Sequence, residues 1–286
     1  MIAPLGPALL LRWSIRAPFA AAREAGATLH RLHTSRRILT AVVWLEFQKK
    51  YAGSVLGLLW HPLYAVLLLG TYSFVYLVIF RARFSEFGSF EYVLFIFSGL
   101  IPYLGFSDAV ATATPSVKAN LALLRNSVFP LELVPIRQLL VSMGGLLISL
   151  AILLVMLAGS GRIGLHLLYL PVPLALLFVS LAGLVWFTSA AAVLVPDVTY
   201  VVNLLLLLFL FISPIGYPLS MVPRSARMFV LANPLTYLVE SFRYALMGIR
   251  GTPLWTDALF GVFAVLFAIA GAAFFRRLMP IFSDHE

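Results

Sequence analysis

The sequence contains no cysteine, and its 286 residues include only five histidines. The absence of cysteine excludes disulfides, thiolate chemistry and zinc sites with cysteine ligands. None of the histidines forms a His-x-x-x-His or His-Glu-x-x-His pair, so a metal ion has few ligands to bind. We therefore expect no metal site and no metal-dependent catalysis on this chain.

Charge is also scarce, because 11% of the residues are charged whereas a soluble domain has about 25%. Hydrophobic residues make up 62% of the sequence, and the mean hydropathy is +1.01. A water-soluble fold could not cover so much apolar surface, so lipid is the expected solvent. The net charge of +9 favours contact with anionic membrane lipids rather than with nucleic acid, since no soluble domain is available to carry a basic patch.

Phosphate-binding loops are missing as well. No Gly-x-x-x-x-Gly-Lys-Ser/Thr pattern occurs, so the chain cannot bind ATP phosphates in the P-loop manner. Gly159, Gly161 and Gly164 match Gly-x-Gly-x-x-Gly, but they join two apolar runs rather than a strand and a helix, which predicts a turn. We expect no nucleotide or other cofactor on this chain.

Long apolar runs are what the sequence does contain. A transmembrane helix needs about 20 apolar residues to cross about 30 Å of hydrocarbon. Six such runs occur, at residues 55–80, 92–111, 139–158, 165–194, 201–215 and 254–275. The fifth is short and ends where two prolines and a glycine break the helix. The predicted fold class is therefore all-α integral membrane, with six transmembrane helices.

The N-terminal region differs in composition from the rest. Residues 1–53 carry eight basic and two acidic side chains, and residues 38–47 have the pattern of a helix lying in the headgroup plane. A transit peptide is the alternative for such a basic lead. The distribution of Lys and Arg between the loops places both termini in the cytoplasm. We predict a cytoplasmic and interfacial region over 1–53 and a transmembrane domain over 54–286.

Acidic residues are almost absent from the apolar runs. Asp108, near the inner end of the second run, is the one candidate, and its place near a helix end favours snorkelling or capping. A proton-coupled carrier usually needs a relay of buried carboxylates and histidines, which the sequence does not show.

Residues 216–253 form the most informative irregular segment. They are too polar to span the membrane, yet they contain the apolar helical runs 228–232 and 235–247. Two short re-entrant helices that dip into the outer leaflet and return would satisfy both facts, because irregular backbone at membrane depth must be buried in protein or line a cavity. The segment is a candidate gate, and a simple cover over the helix ends is the alternative.

An aromatic ladder follows the first run at intervals of four residues, a spacing at which helical side chains touch. Aromatic rings offer apolar faces to sugar C–H groups, and tyrosine hydroxyls need partners that a wet pathway would supply. The alternative is helix packing with aromatic belts at the two interfaces. The ladder consists of Trp60, Tyr64, Tyr72, Tyr76 and Phe80, with Leu68 in the gap.

The loop between the second and third runs contains a short amphipathic pattern. Leu121, Leu124 and Val128 share one helical stripe, and Pro130 ends it. Such a helix could dock into a soluble partner or lie on the membrane surface.

Several motifs occur in order along the chain: KYAGSVLGLLW at 50–60, FSGLIPY at 97–103, VFP at 128–130, SPIGYP at 213–218 and NPL at 233–235. In this order they resemble the membrane subunits of polysaccharide ABC exporters of the O-antigen and teichoic-acid type, in the ABC-2 superfamily. The resemblance covers about residues 40–282.

The resemblance implies a homodimer bound to two copies of a cytoplasmic ABC ATPase, which would carry the ATP and magnesium. The chain itself would be a transporter permease without catalytic residues, in the cytoplasmic (inner) membrane, moving a lipid-linked glycan. The ATPase-coupling helix would use Leu121, Leu124, Arg125, Phe129 and Glu132, the aromatic ladder would line the substrate path, and the outer gate would contain Pro214, Tyr217, Pro218, Asn233, Pro234 and Arg243.

Two other functions remain open on the sequence. A membrane-embedded glycosyltransferase needs acidic residues near the interface, and those available there are widely separated along the chain. The other is a scaffold or an ATP-independent glycolipid scramblase, which glycolipid movement without nucleotide would support.

The coupling prediction is testable by Leu124→Asp, which places a charge on the apolar stripe of the predicted docking helix. We expect ATP hydrolysis to become uncoupled from export while the subunit stays in the membrane. Glycan at the cell surface and ATPase activity of the purified complex are the measurements. Unchanged export would remove residues 121–129 from the coupling role.

Overall fold

The computed structural model describes residues 26, 34, 36–50, 53–79, 88–125 and 130–283, without the side chains of residues 58, 61, 122–125 and 283. Every regular element within these ranges is helical, which confirms the all-α class. Phe80 and Phe129 lie outside the described residues, as do the side chains of Leu124 and Arg125.

Ten α-helices are found in the described part of the chain. They are α1 (Arg36–Lys49), α2 (Trp60–Ser73), α3 (Ser89–Ala113), α4 (Ser116–Arg125), α5 (Leu133–Gly159), α6 (Pro171–Leu194), α7 (Val198–Ile212), α8 (Arg224–Ala232), α9 (Pro234–Met247) and α10 (Trp255–Leu278). A π-helical segment, Phe74–Ile79, continues α2, and short 3₁₀ turns precede α2 and α6 and follow α10.

Five helical segments are long and apolar enough to cross a membrane: Pro62–Ile79, Ser89–Ala113, Leu133–Gly159, Leu165–Leu194 and Trp255–Phe282. They coincide with five of the six predicted apolar runs. The remaining run forms α7, which is apolar but only 15 residues long. Its backbone leaves the helix at Ser213, at the start of the predicted Pro-Ile-Gly-Tyr-Pro break.

The two ends of the bundle differ in what they carry. The end that holds α1, α4 and the C-terminal part of α10 is called the proximal end. The end that holds residues 213–253 is called the distal end. The chain passes from α1 to α2 through a turn in which Gly53 and Gly57 have φ of +82° and +49°, a conformation that favours glycine.

Helix α3 lies at the centre of the bundle and packs on α2, α5, α6 and α9. In the most apolar part of α3, 78% of the residues are buried, whereas the figure is 11% for the segment 62–79, which contains most of α2. Helix α7 is also exposed along most of its length, with Val202 and Leu206 buried. The core therefore sits around α3, whereas α2 and α7 present most of their apolar surface outward.

The most extensive helix pair, α6 with α10, depends on small residues. Gly183 and Gly271 face each other so closely that a Cβ on Gly271 would overlap the carbonyl oxygen of Gly183. A Cβ on Gly183 would in turn lie 2.7 Å from the carbonyl oxygen of Phe267. Both obstacles are backbone, which cannot rotate away. Close approach at small residues is the usual basis of helix association in lipid.

Gly271→Ala should therefore separate α6 from α10 and destabilise the bundle by about 1–3 kcal/mol, the usual cost of overpacking. The melting temperature of the detergent-solubilised protein measures the effect. Gly159→Ala is the matched control, because a Cβ there meets nothing within 4 Å. Equal melting temperatures for the two variants would contradict the close packing.

Candidate translocation path and gate

A cleft runs between α2, α3 and α7 on the outward face of the bundle. It consists of two adjoining depressions of about 350 and 400 Å³. Both are bordered by Tyr64, Leu104 and Asp108. The other lining side chains are Lys50, Trp60, Ala65 and Ser149 in the first depression, and Leu68, Tyr103, Ser107, Ala111, Asn203, Leu206, Leu207 and Leu210 in the second.

The aromatic ladder divides into two parts. Trp60 and Tyr64 line the cleft and are exposed, and the indole Nε1 of Trp60 donates a 2.7 Å hydrogen bond to Ser54 Oγ. Tyr72 and Tyr76 stack with their ring centroids 6.2 Å apart, and both are partly buried against the core. The structure therefore brings the proximal part of the ladder into the cleft and packs the distal part between helices.

The wall opposite α2 is fixed to α3 by one long-range hydrogen bond. The Tyr103 hydroxyl donates to the backbone carbonyl of Leu206 at 2.7 Å. Tyr103 is buried, so this bond is sheltered from solvent. It holds α7 against α3 in the middle of the cleft wall.

Ion pairs at the proximal end attach α1 to the bundle. Lys50 Nζ donates to both carboxylate oxygens of Asp108, at 2.9 and 2.7 Å. Glu46 lies 3.5 Å from Arg137 of α5. The sequence suggested snorkelling or capping for Asp108, and the structure instead gives it a lysine partner. Because both pairs are partly exposed, each contributes about 1 kcal/mol or less.

Residues Ser116–Arg125 form the helix α4, which contains Leu121 and Leu124 of the predicted coupling segment, whereas residues 126–129 of that segment lie outside the described residues. Leu121 is partly buried and packs against the core. Glu132, which the resemblance grouped with this segment, is 1% exposed and lies 3.4 Å from Arg276 of α10. Its backbone carbonyl accepts a 3.0 Å hydrogen bond from Trp186 Nε1. Glu132 therefore joins the start of α5 to α6 and α10 inside the bundle.

A buried arginine organises the distal end. Arg243 of α9 is 1% exposed, donates at 2.7 Å to Glu240, and donates at 2.8 and 3.1 Å to the carbonyl oxygens of Pro214 and Ile215. Its guanidinium lies 3.6 Å from the ring centroid of Phe95. Helix α9, the turn after α7 and helix α3 are thus joined through one side chain.

The same turn is held by two further polar contacts. The Tyr92 hydroxyl donates to the Gly216 carbonyl, and the Tyr217 hydroxyl donates at 2.7 Å to the Ile212 carbonyl at the end of α7. Pro218 follows the turn directly. The predicted gate residues 214–218 therefore lie in one compact, hydrogen-bonded turn rather than in an open loop.

Asn233 and Pro234 begin α9. The Asn233 side chain accepts a 3.0 Å hydrogen bond from the Leu235 amide and donates at 2.9 Å to Ser213 Oγ. Proline at the first helical position is favoured there because its missing N–H has no helical partner to lose. The Asn-Pro pair thus caps α9 and ties its start to the end of α7.

A second buried ion pair holds the other end of α9. Asp257 of α10 accepts a 2.9 Å hydrogen bond from Arg250 and 2.8 Å hydrogen bonds from Ser241 and from Tyr169. Helix α9 is therefore fixed to α3 on one side and to α10 on the other. Helix α8, in contrast, packs on α9 alone among the elements with substantial contact, and exposes Met228 and Phe229.

Sequence reasoning missed several residues of these sites. Tyr103 and Glu240 gave usable signals, because Tyr103 ends the FSGLIPY motif and Glu240 lies one helical turn before Arg243. For Asn203 and Asp257, the sequence periodicity contains no signal that would have identified them. Among the described residues, no group of three His, Cys, Asp or Glu side chains is arranged to hold a metal ion.

The distal arginine provides a stability test. Arg243→Met leaves the Glu240 carboxylate buried without its cation, which should cost about 3–5 kcal/mol. The double variant Arg243→Met/Glu240→Leu removes that unpaired charge and should recover part of the loss. Melting temperatures in detergent are the measurement, with the exposed Arg224→Met as the control. A double variant no more stable than Arg243→Met would contradict this account of the pair.

Comparison with known proteins identifies the architecture. Residues 37–247 match the ABC-2 type transporter family. An O-antigen export system permease protein (RfbA) of Myxococcus xanthus is 29% identical over 215 residues, covering 74% of this chain and 81% of the relative. Its namesake from Klebsiella pneumoniae is 22% identical over 249 residues, covering 86% and 94%. A polysialic acid transport protein (KpsM) of Escherichia coli is 25% identical over 208 residues, covering 71% and 78%.

These matches confirm the resemblance carried by the sequence motifs, and the family match spans α1 to α9. The structure agrees with them, since the described chain is helical and contains five segments long and apolar enough to cross a membrane. The chain belongs to the ABC-2 type transporter family, as a multi-pass membrane subunit.

Proposed function

We propose that this chain is the membrane-spanning subunit of an ATP-driven exporter that moves a lipid-linked polysaccharide, O-antigen-like or a related glycan, across the cytoplasmic membrane. The family supports transport, and the names of the relatives support a glycan. The single observation that carries the proposal is the cleft between α2, α3 and α7. It combines exposed aromatic rings with hydroxyl and amide groups, a surface suited to sugars.

The cleft is a half-channel that a second copy of the chain completes. Helices α2 and α7 expose large apolar side chains on both sides of it, including Leu67, Tyr200, Leu204 and Phe211. Such surface is compatible with lipid. The polar side chains of Lys50, Asp108 and Asn203, which also line the cleft, are unfavourable against hydrocarbon, so they must be covered by protein or hydrated. Pairing two copies about this face encloses the polar groups and forms a closed path in a homodimer.

Energy for transport comes from a separate ATPase, which binds ATP and magnesium. Two copies of that ATPase dock on the proximal end at α4, the helix that contains the start of the predicted coupling segment. A displacement of α4 passes through Pro130 to the start of α5. From there the buried Glu132–Arg276 pair carries it to α10. The chain itself catalyses no reaction.

The proximal end faces the cytoplasm in this proposal, with both termini on that side, and α7 serves as the fifth of six spans. Helices α8 and α9 form the outer gate in the opposite leaflet. Because Arg243 fixes α9 and the turn from Pro214 to Pro218 together, and Asp257 also holds α9, the moving part of the gate is α8. Among the described elements, α9 is the one with which α8 makes substantial contact, which suits an element that swings.

Reconstitution tests the function. Vesicles that contain this chain and its partner ABC ATPase should move a fluorescent lipid-linked glycan across the bilayer when ATP is supplied. Vesicles with the chain alone, or with the complex and no ATP, should not.

Equal glycan movement without the ATPase would overturn the proposal in favour of a scramblase. Transfer of sugar to an acceptor by the purified chain would overturn it in favour of a glycosyltransferase. The control is a complex whose ATPase carries a substitution that abolishes ATP hydrolysis, with equal amounts of this chain in the vesicles.

A further inference from the structure

One polar side chain in α7 is out of keeping with its surroundings. After Tyr200 the helix continues VVNLLLLLFLFI, so Asn203 is the one side chain in that stretch with hydrogen-bonding groups. It is exposed, and its amide has no hydrogen-bond partner among the described residues. An amide without a partner in hydrocarbon is unfavourable, so a neighbour from outside the chain must satisfy it.

The position of Asn203 narrows the choice of neighbour. It lines the 400 Å³ depression of the cleft together with Tyr64, Tyr103 and Ser107. The Tyr103–Leu206 hydrogen bond fixes this stretch of α7 against α3, so the amide stays on the cleft wall.

Tyr64, on the opposite wall, presents a second unused group. Its ring is exposed, and its hydroxyl has no hydrogen-bond partner in the described part of the chain. Asn203 is the sixth residue of α7 and Tyr64 the fifth of α2, so at 1.5 Å per residue both lie about 6–8 Å from the proximal helix ends. Asp108 lies at a similar distance from the proximal end of α3.

From this geometry we infer that Asn203 is a specificity-determining residue of the transport path, which together with Tyr64 binds hydroxyl groups of the sugar chain near its proximal entrance. The inference rests on the proposed function. An amide both donates and accepts, as does a phenol, so the two walls together can bind a sugar ring edge-on while Trp60 covers an apolar face. The pair would select hydroxylated substrates over bare lipid.

The test compares Asn203→Leu, which keeps the size and removes the hydrogen bonds, with Asn203→Gln, which keeps the amide. Leu205→Val is the matched control on the same helix, because Leu205 is exposed but does not line the cleft. Export is measured as glycan at the surface of cells whose own copy of the gene is deleted. We expect about tenfold less export with Asn203→Leu, partial recovery with Asn203→Gln and wild-type export with the control.

Two further measurements separate substrate binding from subunit association, in which Asn203 would pair with the second copy of the chain. The amount of dimer in the membrane, measured by size-exclusion chromatography in mild detergent, should not change with Asn203→Leu. A photoreactive phenylalanine analogue at position 203 should cross-link to lipid-linked glycan, and the same analogue at position 205 should not.

Three results would each overturn the role of Asn203. They are export at the wild-type level by the Asn203→Leu variant, loss of the dimer in that variant, and cross-linking from position 203 to a second copy of the chain but not to glycan. These outcomes leave the proposed function standing, since the wild-type complex exports glycan in all of them. Failure of the wild-type complex to export glycan would instead overturn the proposed function, and this inference with it.

Discussion

Hydrocarbon offers no hydrogen bonds, so each polar group inside this bundle has to find its partner in the protein or in a wet cavity. That constraint explains where the charged residues lie. Arg243 pairs with Glu240 and two backbone carbonyls, Glu132 pairs with Arg276, and Asp257 accepts from Arg250. Asn203 and Tyr64, which have no such partner among the described residues, face the cleft.

The hydrogen-bonded and ion-paired side chains also indicate which parts of the bundle are rigid and which can move. At the distal end the arginine holds α9, the turn after α7 and helix α3 as one unit, because breaking any of its contacts leaves a buried charge poorly paired. Helix α8 has no comparable anchor among the described residues. At the proximal end the ion pairs that attach α1 are partly exposed and weaker, so α1 is held less firmly than α9. The strength of each contact thus follows its depth in the bundle.

The sequence was sufficient to predict the apolar helical segments, but it was insufficient to predict most of the ion pairs between them. Apolar runs located five membrane-crossing segments, and the Pro-Ile-Gly-Tyr-Pro break marked the end of α7, because length and helix breakers are local properties. The pair of Lys50 with Asp108 is 58 residues apart and that of Glu132 with Arg276 is 144 apart, so no spacing rule could join them. The Glu240–Arg243 pair was readable, since residues three apart share a helix face. The cleft is formed by three helices that are distant in the sequence. Asn203 can therefore be recognised as a lining residue only once the structure is known.

The central claim is that the cleft between α2, α3 and α7 is the wet path through the assembled exporter, and the absence of cysteine makes it directly measurable. Single cysteines introduced by Tyr64→Cys and Leu207→Cys line the cleft, whereas Val155→Cys and Leu266→Cys lie on exposed apolar faces of α5 and α10. The rate of labelling by a membrane-impermeant, water-soluble thiol reagent is measured on the complex in lipid while it hydrolyses ATP. The account predicts fast labelling at positions 64 and 207 and very slow labelling at 155 and 266. Equal rates at all four positions, or slow labelling in the cleft alone, would contradict it.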